Sequence, residues 1–366
     1  MREPFDLNQL VSPLLEWFSS HARVLPWREQ PTPYRVWVSE IMLQQTRVEA
    51  VKPYFNRFMD RLPDIASLAE CPEDVLLKLW EGLGYYNRVR NLKEAAQTVI
   101  AEHGGELPAD YEKLLKLKGI GHYTAGAVAS IAYGIPVPAV DGNVLRVISR
   151  VTGDDADIMK ASVRTAMEHD LAEVIPEGQA GAFNQALMEL GACVCVPNGA
   201  PLCDQCPWNN MCRAKAQGRI DELPVKSKAK ARRIEKRTVF LIRDEEKVLL
   251  RKRPEQGLLA GLYELPNTLG HLSPEQVEAY VKELGLSPLR ILPLEPAKHI
   301  FSHIEWQMIG YAIRIDETVE HPEDMLFVSV EDTEKNYPIP AAFSRYAVYL
   351  NLHLGIGEEE KNPLNM

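Results

Sequence analysis

The chain of 366 residues lacks a long apolar run at its start. "MREPFDLNQL" carries neither a signal peptide nor a membrane span, so a cytoplasmic setting, nucleoid-associated when on DNA, is expected. It has little cysteine. Of six, five fall between Cys193 and Cys212, and only Cys71 lies elsewhere. Where thiols stay reduced, such a cluster points to a metal rather than to disulfides. A positive balance is also missing: 41 Lys and Arg against 51 Asp and Glu give a net charge of −10 and a pI of about 5.5. That does not exclude nucleic acid, because a binding footprint is local. Between Arg213 and Arg237 stand ten basic and three acidic residues, including "KSKAKARR", which by themselves read as a solvated linker. No internal repeat is present.

What is there suffices for about two or three domains, with 46% hydrophobic residues. From Leu10 to about Arg213 the pattern is helical. Tyr86, Val89, Leu92, Ala96 and Val99 recur at helical spacing after Gly82 and Gly84 punctuate the chain. From Thr238 the texture turns to short β-rich runs: "TVFLIRDEEKVLLRKR" reads as a hairpin with a polar turn, and "HIEWQMIGYAIRI" as a further strand. The expected organisation is multidomain: an all-α domain over 1–218, a basic linker over 219–237 and a smaller α+β domain over 238–366.

Four motifs carry chemistry. Cys195, Cys203, Cys206 and Cys212 read C-x7-C-x2-C-x5-C around a Pro- and Gly-containing loop. Four thiolates on such a loop hold either tetrahedral zinc or an iron–sulfur cluster. One short pair, where zinc knuckles use two, tilts the choice to the cluster and leaves Cys193 as a spare. In "LLKLKGIGHYTAGAVASIA", Gly119 and Gly121 turn the chain into a small-residue helix. Such a turn lets the backbone approach an anion at the helix N-terminus, as in a helix–hairpin–helix gripping a DNA phosphate, though an ordinary helical hairpin reads the same way. In "VPAVDGNVLRV", Asp141 is either a plain N-cap or a functional carboxylate 18 residues beyond Tyr123. In "YRVWVSEIMLQQTRV", Val36, Glu40 and Leu43 share one helix face, setting a carboxylate among apolar neighbours. That environment raises its pKa and suits it to act as an acid; the plainer alternative is a buried ion pair with an arginine.

Taken together, these residues resemble the iron–sulfur branch of the helix-hairpin-helix DNA glycosylase superfamily. "LPWR" (25–28), "SEIMLQQTRV" (39–48), "WEGLGYYNRVRNL" (80–92), "AVDGNVLRV" (139–147) and "AFNQALMELGA" (182–192) are similar to the MutY family of adenine DNA glycosylases, over nearly the whole chain. The resemblance implies a six-helix barrel region at about 28–135, one [4Fe-4S] cluster on the 195–212 loop, and a monomer acting on double-stranded DNA. It further implies removal of adenine mispaired with 8-oxoguanine or guanine, by flipping the base out of the stack. By match, Glu40 is the acid that protonates adenine at N7 and then activates water. Asp141 stabilises the cationic sugar, with Asn143 beside it, as two carboxylates divide roles in glycoside hydrolysis. Tyr123 stands where bifunctional relatives carry a lysine, implying a monofunctional enzyme. Arg23, Trp27, Arg28, Leu43 and Gln185 match pocket residues. Gln45, Thr46, Leu83, Gly84, Tyr85, Gly119 and Gly121 match residues that wedge or grip DNA. The family's first cysteine spacing is x6 where this chain has x7.

The C-terminal part resembles a Nudix fold without the hydrolase's glutamate box, which removes a pyrophosphatase reading. Phe301, Ser302 and His303 match the family's 8-oxoguanine-contacting loop; read alone, they are a turn at a strand edge. A lyase for oxidised pyrimidines is disfavoured by Tyr123, and a binding-only damage sensor by the joint presence of Glu40 and Asp141.

Overall fold

The computed structural model describes residues 5–227, 231–244, 247–316, 324–352 and 354. The chain divides into two compact units, Met1–Glu70 with Arg90–Ala229, and Cys71–Val89 with Lys230–Met366. In chain order, before the sheet, the helices are α1 (Asn8–His21), α2 (Pro26–Glu29), α3 (Pro33–Leu43), α4 (Val48–Arg61), α5 (Ile65–Glu70), α6 (Glu73–Leu79), which belongs to the second unit, and α7 (Asn87–His103). They continue as α8 (Tyr111–Leu115), α9 (His122–Tyr133), α10 (Gly142–Thr152), α11 (Ala161–Ala172), α12 (Ala180–Cys193) and α13 (Arg213–Ala216).

Local chemistry sets the boundaries that matter for the site. Pro33 opens α3 at a position where its missing N–H costs nothing, and the Thr32 side chain caps the helix by accepting from Arg35 N. The α10 helix begins at Asp141 and ends at Gly153 in the left-handed region that glycine adopts freely. Its Val144, Leu145, Val147, Ile148 and Val151 are buried, and so are Arg146, Ser149 and Arg150. A helix covered on every side lies in the interior. Around it pack Leu10, Leu14 and Trp17 of α1 and Phe183, Leu187 and Leu190 of α12. Each such side chain contributes about 1.5–3 kcal/mol by leaving water. Trp208 of the cysteine loop joins the same core and donates Nε1–H to Leu10 O at 3.0 Å, fastening that loop to the helical body.

The second unit holds a sheet of β1 (Arg233–Asp244), β2 (Lys247–Lys252), β3 (Tyr263–Glu264), β4 (Asn267–Leu269), β5 (Pro288–Ile300), β6 (Ile304–Ile315) and β7 (Met325–Ser329). Its order is β3-β2-β1-β6-β5, with β4 on β1 and β7 on β2; β1 and β6 run parallel and the other pairs antiparallel. Period-two alternation sends Phe240 and Ile242 to a face covered by α14 (Pro274–Glu283), and Val239 and Leu241 to the other, with Trp306, Phe343 and Tyr346. Also in this unit, α15 (Val330–Asn336) lies near α6, and buried Glu81 accepts from Ile339 N at 2.6 Å.

The linker differs from the expectation of 219–237. Leu223 is buried and its carbonyl accepts from Arg150 Nε, Val225 O accepts from Ile158 N, and β1 already pairs with β6 at Arg233↔Ile304. The charges of Arg233 and Arg237 look like linker charge in sequence, but both pair with Glu235, and Arg237 lies over the Trp306 ring at 4.2 Å. The polar turn of the first hairpin falls on 245–246, outside the described residues; Arg243↔Val248 and Asp244↔Lys247 pair on either side of it.

Candidate active site

Helix α3 delivers Glu40 into a cavity of about 950 Å³. The side chain is 5% exposed and sits among buried Val36, Trp37 and Ile41. Burial pushes its carboxyl up to about 7; the charge of Asp141 adds to this, while the Tyr123 hydrogen bond and the Arg28 charge oppose it. The arginine alternative does not hold: among the described residues the ion pair of Arg28 is with Glu189, not Glu40.

Tyr123 stands on the first turn of α9 and donates its hydroxyl to Glu40 Oε2. Burial, with the charges of Glu40 and Asp141, holds the phenol well above its ordinary pKa, so it stays a donor. Lys118, the amine nearest in the chain, is largely exposed and lies 3.8 Å from Glu94.

For Asp141 both readings hold at once. It is the N-cap of α10: Oδ1 accepts from Asn143 N and Val144 N at 2.8 Å each, and Oδ2 from Asn143 Nδ2 at 2.7 Å. It also lines the cavity, where burial raises its pKa against those three donors. The segment before it is fixed by buried Asn184, which accepts from Ala139 N and donates to Val137 O and Ser130 Oγ. Gly126 allows this approach: a Cβ there would stand 2.2 Å from Pro138 O. From Asn143 the contacts continue inward. Arg146 Nη2 donates to Asn143 Oδ1 (2.9 Å) and Gly191 O (2.7 Å), and its Nε to Cys195 O (2.9 Å).

Arg23, Trp27, Arg28, Leu43, Gln45, Thr46, Gly121, Asn143 and Gln185 line the same cavity. Leu83, Gly84, Tyr85 and Gly119 do not. Gln45 and Tyr85 are exposed non-glycine residues at φ 60° and 49°, a conformation held only where surrounding structure imposes it. Leu83 is buried, and Arg88 donates Nη2 to Leu83 O and Gly84 O while lying 5.7 Å from the Tyr85 ring centre. Gly119 has a reason inside the fold: φ is 76°, and a Cβ would meet Asn91 Cβ at 2.7 Å. Gly121 is different; a Cβ there meets nothing within 4 Å, so the N-terminus of α9 is open to solvent.

The four cysteines line one small cavity of about 30 Å³ together with Arg150, whose Nη1 donates to Cys195 Sγ at 3.3 Å. Burial pushes the Cys206 thiol up to about 12 and raises Cys212, although backbone N–H groups face both sulfurs. Half-buried sulfurs that face N–H donors suit thiolates that share their charge with a cationic group. Among the described residues no three Cys, His, Asp or Glu side chains gather as a ready-made single-ion site; the thiols surround a shared space instead.

In the second unit, Phe301–His303 form the β5–β6 turn. Phe301 stands edge-on to His299 and Trp306, with ring centres 4.6 and 4.9 Å away, and leaves Ser302 and His303 exposed. Ser302 Oγ and His303 Nδ1 are 3.2 Å apart.

Glu189 on the cavity wall, and Arg146 and Arg150 reaching the cysteine loop, are residues that the motifs did not single out. Their signal was present in Gln185/Glu189 and Arg146/Arg150, polar pairs at i, i+4 on otherwise apolar helices.

Residues 38–176 match the HhH-GPD superfamily of base excision DNA repair proteins, and residues 238–348 match the NUDIX domain. A thermostable thymine-DNA glycosylase superposes with a TM-score of 0.51 at 28% identity over 58% of this chain and 100% of its own. Endonuclease III in a non-covalent DNA complex gives 0.50 at 24% over 59% and 99%, a likeness of fold. Among the described residues no helix is long and apolar enough to cross a membrane. The adenine DNA glycosylase of Mus musculus is 35% identical over 85% of this chain and 72% of its own length, and that of Schizosaccharomyces pombe 33% over 90% and 87%. With Glu40 and Asp141 facing one cavity beside the hairpin, these likenesses place the chain in the family of adenine DNA glycosylases, base excision repair enzymes that hydrolyse N-glycosyl bonds.

Proposed function

We propose that this enzyme excises adenine paired with 8-oxoguanine, or with guanine, and leaves an abasic site in an unbroken strand. The observation that carries the reading is the Glu40–Tyr123 contact facing Asp141 across the cavity. A base flipped into that space meets, in Glu40, an acid whose pKa of about 7 lets it hold a proton near neutrality. Protonation at adenine N7 withdraws electrons from the glycosidic bond, which breaks toward an oxocarbenium-like sugar. The Asp141 carboxylate, fixed by three N–H donors, stabilises that charge without needing to reorganise. Glu40, now ionised, takes a proton from the attacking water.

Tyr123 supplies a hydroxyl where a lyase needs an amine, which supports hydrolysis alone. Cys195, Cys203, Cys206 and Cys212 would hold the [4Fe-4S] cluster, whose work is to order the loop that Trp208 and Arg150 anchor. Ser302 and His303, held out by Phe301, support reading of the oxidised guanine by the second unit. Gln45 and Tyr85, each exposed at a positive φ, would fill the gap or wedge the strand.

The test is incubation with an 8-oxoguanine:adenine duplex. Free adenine should appear with a strand that breaks only after alkali. Release of a pyrimidine instead, or no release, overturns the reading.

A further inference from the structure

Two arginines line the cavity that this reading assigns to adenine, and a buried carboxylate that no motif singled out holds both. Glu189, on α12, is 1% exposed. Its Oε1 accepts from Arg23 N (3.0 Å) and Nε (2.6 Å), and its Oε2 from Arg23 Nη2 and Arg28 Nη2 (3.0 Å each). The other donors of Arg28 are engaged too: Nε donates to Gln185 Oε1 at 2.9 Å and Nη1 to Arg23 O at 3.1 Å. Its guanidinium also lies 5.5 Å from the Phe18 ring centre. The fork is therefore fixed in direction, and Gln185 is left with its Nε2 on Gly181 O at 3.3 Å. Arginine planes hold several directed bonds at once, so removing the carboxylate that two of them share takes the paired charge from both and one of the three hydrogen bonds from Arg28.

We propose that Glu189 is a positioning residue that sets the charge of the adenine pocket, holding Arg28 away from Glu40 and fixing the carboxamide of Gln185. The proposal rests on the reading of Glu40 as the acid. The charged and titratable groups facing Glu40 are Tyr123 from α9, Asp141 from the start of α10 and Arg28 from α2. Two further groups of the wall are engaged elsewhere: His122 with Tyr111, and Arg164, which donates to Val140 O. Arg28 already favours the ionised form of Glu40 without touching it. Without the Glu189 charge, the Arg28 charge is uncompensated and its Nη2 loses its acceptor, so Glu40 loses its proton at lower pH. An acid that ionises too early stops working on the alkaline side.

The experiment measures single-turnover adenine release from an 8-oxoguanine:adenine duplex between about pH 5.5 and 8.5 for the full chain. Glu189→Gln keeps the shape and removes the charge. Its alkaline limb should move to lower pH by about 1 unit or more, the size of effect a newly available opposite charge exerts. The double variant Arg28→Gln/Glu189→Gln should bring the limb back toward the wild-type position, at a lower plateau. Glu189→Asp, which keeps the charge with a shorter reach, should shift the limb the same way by less, and serves if Glu189→Gln does not fold. A limb that stays in place while only the plateau or the melting temperature falls assigns Glu189 to packing and overturns the proposal. A wild-type enzyme that releases adenine with no alkaline limb overturns the assignment of Glu40, and this proposal with it.

Discussion

Tyr123 donates its hydroxyl to Oε2 of Glu40, joining α9 to α3 between positions 83 residues apart. The bond opposes the effect of burial: it favours the carboxylate, whereas the apolar surroundings favour the acid. The carboxyl proposed as the acid is therefore poised by two conflicting influences.

Tyr123→Phe removes the donor and keeps the ring. With one influence gone, Glu40 should hold its proton to higher pH, and the alkaline limb of single-turnover excision should move upward from about 7. The plateau should fall, because the carboxyl is no longer oriented. A downward shift would show that Tyr123 acts on Glu40 in some other way.

Glu40→Gln should abolish excision and yet stabilise the protein above neutrality. The folded-state pKa of Glu40 is about 7 against an ordinary 4.5, so the folded chain holds an extra proton between those values. Folding is unpenalised below 4.5, and the cost of ionising a buried carboxyl grows as pH rises through about 7. At pH 8 the variant should be more stable by up to about 3 kcal/mol, a gain that vanishes near pH 4.5. Thermal melts of both proteins across that range check the sign. Equal melting temperatures at pH 8 would mean that Glu40 is not desolvated as its burial implies.

Much of this site was legible residue by residue. Val36, Glu40 and Leu43 mark a carboxylate on an apolar face because helical periodicity is local. The Tyr123–Glu40 contact was not legible, since nothing local brings α9 onto α3. Glu189 and Gln185 stand out in sequence as a polar pair at i, i+4, but the partners that give Glu189 its role, Arg23 and Arg28, lie more than 150 residues away in the chain. The resemblance sets Gly119 against DNA, and its place beside Asn91 at a left-handed φ, which requires a glycine inside the fold as well, is not legible in the sequence. The start of β1 at Arg233 is hidden because its charge density resembles a linker, and the pairing with Glu235 in the same strand and the contact with Trp306 across on β6 show why it is ordered.

For the cysteine loop, protein prepared without oxygen should carry about four irons and absorb broadly in the visible. Cys206→Ala should lose the absorbance and lower the melting temperature together, because ligand binding and folding of the loop are coupled. Zinc in place of iron in such a preparation would identify the other tetrathiolate centre.

For the β5–β6 turn, Phe301→Ala should release the support that Trp306 gives, and Ser302→Ala should remove the exposed hydroxyl. Either change in the full chain should reduce the preference for 8-oxoguanine:adenine over guanine:adenine by about 1–3 kcal/mol of discrimination. Excision from guanine:adenine should change little, since Glu40 and Asp141 belong to the other unit. Parallel loss on both duplexes would assign the turn to general DNA binding.

The product strand tests whether an amine reaches the sugar. A Schiff base needs an unprotonated amine at the sugar, and at the start of α9 the chain offers Tyr123, engaged with Glu40. Lys118 lies before the turn, largely exposed and beside Glu94, outside the residues that line the cavity. Borohydride added during turnover should therefore trap no covalent protein–DNA adduct, and the strand should break only after alkali. Tyr123→Lys places an amine where the phenol stood, with Asp141 still held by its own three N–H donors. That variant should gain a borohydride-trapped adduct even while base release slows through loss of the Glu40 contact. Trapping by the wild type that disappears in Lys118→Ala would instead give Lys118 access to the sugar and make the enzyme a lyase.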